Sequence, residues 1–133
     1  MIAPSPLAAS ALVALGGAVG SLARYQVGRG MTRLLGPQHV ATFPWATLVV
    51  NVAGSLAMGL LAGWLARGGQ VGETWRLLVG VGLLGGFTTF SAFGLESWGM
   101  IERGAYPIAA FYVIASVVGA VLFTGLGLWI TQR

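Results

Sequence analysis

The sequence predicts an all-α membrane protein with four transmembrane helices per chain, the third helix broken near its middle, assembled as an antiparallel dual-topology homodimer. Three observations carry that prediction. The first is composition: 56% of the 133 residues are hydrophobic and only 8% are charged, against roughly 25% charged in an average soluble domain. Seven Arg and three Glu cannot supply the polar coat that a soluble domain needs, and the mean hydropathy is +0.85. The second is four apolar runs, each near the ~20 residues needed to cross hydrocarbon. The third is an even spread of arginine over the two ends of those runs. Twenty-two glycines fall largely inside the apolar runs, where small residues let membrane helices approach closely.

The first span is expected over about 7–28. The first basic residue is Arg24, so the start lacks the charged region of a cleavable signal peptide, and a retained span is expected. Arg24 itself has two readings, a charge at a pore vestibule or an interfacial anchor. A polar connection with Arg29, Arg33, Gln38 and His39 follows, the last expected to be a solvated loop residue.

The second span covers about 46–66 and ends at Arg67, Gly68 and Gly69. Asn51 lies inside it, with Thr47 four residues earlier on the same helical face. A buried amide must find partners. Its two N–H donors suit an anion, and a plain helix-to-helix hydrogen bond suits it equally.

The third span, about 76–100, is the most irregular. Its Gly85-Gly-Phe-Thr88-Thr-Phe90-Ser91-Ala-Phe93 stretch puts two glycines and two β-branched residues in mid-span, poor material for a helix. Broken backbone at that depth is tolerated only when buried in protein or facing a cavity, and its freed carbonyls are natural ligands for a hard cation such as Na+. In an antiparallel dimer, two such breaks can meet on the twofold axis and share one ion. The other reading is an unbroken helix packed tightly through Gly82 and Gly86. Phe90 and Phe93 share one helical face; they serve packing or lipid contact, or else present positive ring edges to a dehydrated anion. Glu96, near the span's end, is an intramembrane acid and so a functional candidate, unless it only snorkels to water. The fourth span, about 107–131, opens on Pro107, a favoured early helical position. It carries Tyr112, Ser116, Ala120 and Thr124 in one stripe. Those hydroxyls either meet an ion shedding water or bond back to helix carbonyls.

The span ends carry Tyr25, Trp45, Trp64, Trp75, Trp98, Tyr106 and Trp129, an interfacial aromatic belt. With four spans, Arg67, Arg76 and Arg133 share one side and Arg29, Arg33 and Arg103 the other. The positive-inside bias is nearly absent, which is the basis for insertion in both orientations. Residues 1–133 read as a single four-span membrane domain without linker or internal repeat, and the length leaves no room for a large one-chain transporter. Several classes are excluded. The sequence contains no Cys, no Asp and one His, which removes thiolate chemistry, carboxylate pairs and His-based metal centres, so the chain is not read as an enzyme. There is no Lys and the arginines are scattered, which argues against nucleic acid as a partner.

Three stretches resemble the Fluc (CrcB) family of small fluoride channels: Gly16-Gly-Ala-Val-Gly20-Ser-Leu-Ala-Arg24-Tyr25, Phe43-Pro-Trp-Ala-Thr47-Leu-Val-Val-Asn51-Val-Ala-Gly54-Ser55, and Gly85-Gly-Phe-Thr88-Thr-Phe90-Ser-Ala-Phe93. The resemblance spans nearly the whole chain. It implies an antiparallel homodimer in the cell's inner (plasma) membrane, with two pores that let cytoplasmic fluoride leak out passively. It also implies a structural Na+ at the dimer interface, carried here to the backbone carbonyls of Gly85 and Thr88. The fluoride-lining roles carry to Asn51, Phe90 and Phe93, the hydroxyl track to Tyr112 and Ser116 with Glu96 beside it, and the family's first-span arginine to Arg24; Ser91 and Thr47 complete the pathway set. Two departures stand out: Ala92 where the family commonly has a hydroxyl, and Ala120 where some relatives have Ser. The competing class is a small dual-topology, proton-coupled multidrug cation exporter. That class needs an embedded carboxylate, typically in the first span, and here the one candidate is Glu96 in the third. A non-transporting membrane scaffold would need neither Asn51 nor a broken helix.

Overall fold

The structure, a computed structural model, describes residues 4–67 and 72–133. These residues are helical with short connections, and four segments are long and apolar enough to cross a membrane. Helix α1 (Pro6–Leu35) starts with Ser5 as its cap, whose Oγ accepts from the Ala8 N–H at 3.3 Å. It runs for 30 residues, so Arg29 and Arg33 lie on its last turns rather than in a connection. No Pro interrupts it, and it stops only at Gly36, whose φ of 83° lies in the left-handed region that glycine adopts freely. At 1.5 Å per residue the helix is about 45 Å long, so its arginine end outruns ~30 Å of hydrocarbon. Pro37 starts the short α2 (Pro37–Thr42). Gln38 and His39 are therefore helical, not looped, and His39 is exposed.

Pro44 then dictates the corner. A residue before proline is pushed out of the helical region, and Phe43 is extended, with φ −141° and ψ 132°. Helix α3 (Trp45–Ala66) spans 22 residues; Gly68 and Gly69, expected after it, lie outside the described residues.

The third span is composite. It opens with α4 (Gly72–Trp75), four residues before its expected start, so Glu73 and Arg76 fall in its first turns and pair at 2.7 Å. Residues Arg76–Leu84 wind as a π-helix, which sequence spacing did not predict. The Gly85 N–H reaches five residues back to the Gly80 carbonyl. Helix α5 (Gly85–Phe87) follows, the chain extends at Thr88, and α6 (Ser91–Glu102) resumes. The expected break is there. The competing reading holds in part as well: a Cβ on Gly82 or Gly86 would press within 3 Å of the α1 backbone at Val13 or Gly17. The helix packs tightly through those glycines and breaks just beyond them. Gly104, with φ 74°, turns the chain into α7 (Tyr106–Gln132), where Pro107 occupies the first turn.

The spans pack as two glycine-seamed pairs, α1 on the π-helix and α5, and α3 on α7. A Cβ at Gly20 would run into the Leu83 carbonyl, one at Gly59 into Thr124, and one at Gly127 into the Leu56 carbonyl. At such seams backbone meets backbone, which is how dispersion and close approach hold helices together in lipid. The large apolar side chains mostly face outward, Leu122 and Phe111 among them, as lipid-facing surfaces should. Inside, Val50, Met100 and Tyr112 are the largest fully buried side chains.

Candidate functional site

The break in the third span is held by Asn51. Its Nδ2 donates to the Thr89 carbonyl at 2.9 Å, and its Oδ1 accepts the Thr89 N–H at 2.8 Å. One amide thus satisfies both backbone groups of a residue that has left the helix, each worth about 1–3 kcal/mol if stranded without a partner. These two groups of Asn51 bind protein rather than an ion, but their partner stands in the break and not in a helix. The second N–H of Asn51 is left over, and the residue lines a cleft.

Two carbonyls lose their helical partners in the same stroke. In a continuous helix the Thr89 N–H would bond to the Gly85 carbonyl, and here it goes to Asn51. The Ala92 N–H would bond to the Thr88 carbonyl, and here it goes to the Thr89 hydroxyl at 3.3 Å. Gly85 and Thr88 are the two positions to which the family resemblance carries sodium ligation. Hard oxygen donors of this kind suit an alkali cation. Among the described residues no cluster of three His, Cys, Asp or Glu offers a side-chain metal site instead.

One helical turn along α3 and α7, Glu96 gathers two hydroxyls. Thr47 donates to its Oε1 and Tyr112 to its Oε2, both at 2.7 Å. Glu96 therefore turns inward rather than snorkelling. Tyr112 is fully buried, and rings flank it: Phe93 at 5.3 Å between centroids, and Phe43 edge-on at 5.4 Å with an interplanar angle of 81°. Phe90 stands 5.5 Å from Phe93 and is 81% exposed.

Between α3, the break and α7 lies a cleft of about 400 Å³ that includes Asn51, Phe90, Phe93 and Ser116 in its lining. The predicted hydroxyl stripe does not bond back to its own helix. Thr124 reaches across to the Ser55 carbonyl at 3.2 Å, and the buried Ser116 Oγ has no partner at all. Ala120 lines the cleft without a hydroxyl, while Ala92 is not in the lining. Ser91, Arg24 and the Thr47, Glu96 and Tyr112 cluster also stand outside it; the Ser91 hydroxyl lies 3.5 Å from that of Thr89. Sequence reasoning missed Thr89 as the partner of Asn51, and Phe43 as a wall of the Tyr112 pocket. The Phe43-Pro44 pair was the available signal, since a pre-proline aromatic between two helices must leave the helical path.

A family model described as "CrcB-like protein, Camphor Resistance (CrcB)" matches residues 11–128. The chain is 54% identical over 128 residues to a protein of Erythrobacter litoralis named "Fluoride-specific ion channel FluC", covering 96% of this chain and 94% of that one. Proteins of the same name from Sphingopyxis alaskensis and Novosphingobium aromaticivorans are 59% identical over 121 residues and 52% identical over 124. Those matches cover 91% and 92% of this chain, and 93% and 96% of the relatives.

Proposed function

The chain belongs to the CrcB family, and on that footing we propose that it is a fluoride-selective ion channel, a multi-pass membrane protein that lets cytoplasmic fluoride run out passively and so relieves its toxicity. It performs no enzymatic chemistry. The observation that carries the reading is a cleft with uncommitted donors: the second Asn51 N–H and the unpartnered Ser116 hydroxyl. Fluoride is small, strongly hydrated and a strong hydrogen-bond acceptor, so a path that strips its water must offer donors in exchange. No Arg or Lys lines the cleft, so no fixed charge holds the ion too long for conduction.

The path runs from Asn51 and Ser116, beside the positive ring edges of Phe90 and Phe93, toward Thr47, Tyr112 and Glu96 one turn on. Ser91 joins the pathway as the polar neighbour of the two rings, and Arg24 as a vestibule charge that matches the family's first-span arginine. The cleft is open on the side of the exposed Phe90, which supports completion by a second copy, an antiparallel dimer with two pores. The Gly85 and Thr88 carbonyls of each copy would then converge on the axis and hold one structural sodium ion. Bound there, the ion supplies positive charge between carbonyls that otherwise repel. A proton-coupled cation exporter would depend on Glu96, the only acid found well inside a span; both its oxygens are engaged by hydroxyls, and nothing in the cleft favours that reading.

Expression in a fluoride-hypersensitive bacterium tests the function. Growth on fluoride medium should be restored, and failure of membrane-inserted protein to restore it would contradict the proposal.

A further inference from the structure

We propose that Phe43 is a positioning residue for the polar end of the ion path: its ring holds Tyr112 so that the phenol reaches Glu96. The inference rests on the pathway assigned to Tyr112 above. Pro44 excludes Phe43 from the helical region, which ends α2 and leaves Phe43 extended at the corner before α3. Hydrogen bonds fix that corner on both sides, from the Phe43 N–H to the His39 carbonyl at 3.1 Å and from the Trp45 N–H to the Phe43 carbonyl at 2.9 Å.

The ring so placed is nearly buried and belongs to one core with Met100, Ala109 and Tyr112. Trp45 packs against it at 4.5 Å between centroids and Phe111 at 5.9 Å, so it cannot swing without disturbing two neighbours. Its contact with Tyr112 is edge-on, the favoured geometry for an aromatic pair. Tyr112 is thus held between Phe43 and Phe93, with its hydroxyl 2.7 Å from Glu96. The two flanking rings have different duties. Phe93 belongs to the broken span and lines the cleft, whereas Phe43, like Tyr112 itself, stands behind that lining and acts through the phenol it holds. Removing it opens space into which the phenol can tilt, away from the carboxylate.

A double-mutant cycle tests this on the reconstituted protein, read by fluoride efflux from liposomes. Phe43→Leu should slow efflux about tenfold in the native background and add little in the Tyr112→Phe background, since coupled neighbours are non-additive. Equal slowing in both backgrounds, or none in either, would show a merely structural ring and overturn the proposal. If Tyr112→Phe leaves efflux unchanged, the pathway assignment of Tyr112 fails, and the role of Phe43 falls with it. A second readout does not depend on transport. The chain has three tyrosines, and 3-fluorotyrosine labelling gives each a 19F signal, with that of Tyr112 identified by its loss in Tyr112→Phe. Phe43→Leu should shift or broaden that signal and spare Tyr25 and Tyr106; an unmoved Tyr112 signal contradicts the inference. Phe43→Met, which keeps most of the volume in a flexible side chain, serves both measurements if the Leu variant does not assemble.

Discussion

Ser116 separates function from stability more sharply than any other residue of the cleft. Its Oγ is buried and makes no hydrogen bond, so it contributes desolvation cost without return, about 1–3 kcal/mol for such a group. Ser116→Ala should therefore leave the melting temperature unchanged or raised while fluoride efflux slows severalfold. A lower melting temperature with normal efflux would mean the hydroxyl serves packing alone. Phe90 offers a parallel case, since its ring is 81% exposed within the chain and holds little of the fold together. Phe90→Ile should cut efflux strongly with the chain still folded, and unchanged efflux would remove Phe90 from the path. The residue types of the site were legible in the sequence: an amide, two rings and a hydroxyl stripe, all at membrane depth where polar groups demand an explanation. Their pairing was not legible. Thr47 and Glu96 are 49 positions apart, and Glu96 and Tyr112 are 16 apart, so no local spacing announces the cluster. The amide's main partners, the two backbone groups of Thr89, exist only because the helix breaks.

At the scale of the helices, the glycine seams decide the arrangement. A Cβ on Gly20 would collide with the Leu83 carbonyl, whereas one on Gly28, on the same helix, meets nothing within 4 Å. Gly20→Ala should destabilise the folded protein by about 1–3 kcal/mol, the usual cost of overpacking. Gly28→Ala should be neutral, or stabilising by up to about 1 kcal/mol through helix propensity. Thermal melts of the two variants check this, and a similar response from both would show that the seam between α1 and the third span is not the governing contact. Span number and the site of the break were readable, because apolar run length and a mid-membrane Gly-Gly-Phe-Thr-Thr sequence are local properties. The π-winding of Arg76–Leu84 was not, because it coincides with packing of that stretch against the glycines of α1, a tertiary matter. The extension of α1 to Leu35 was missed for a different reason. Polarity signals where a span leaves lipid, but a helix continues in water until a residue such as Gly36 stops it.

For the whole molecule, the balance of charge sets how it inserts. Arg29, Arg33 and Arg103 stand at one end of the bundle and Arg67, Arg76 and Arg133 at the other. The ion pair of Arg76 with Glu73 does not upset the tally, since acidic residues count for little in positive-inside bias. Terminal reporter tags should therefore be found on both faces of the membrane. Two lysines added at the C-terminus should drive it to the cytoplasm and abolish transport, which an oppositely biased partner restores. Tags confined to one face in the native protein would contradict dual insertion. The open cleft ties the same proposal to function: if a second copy completes the path, variants that separate the copies should lose transport. The most direct test of the channel itself uses purified protein in liposomes loaded with potassium fluoride, an external fluoride electrode, and valinomycin to release the charge, beside a matched batch loaded with chloride. A selective channel predicts rapid fluoride loss that requires valinomycin, with chloride retained. Absence of fluoride loss from a well-folded dimer, or equal loss of both ions, would contradict it.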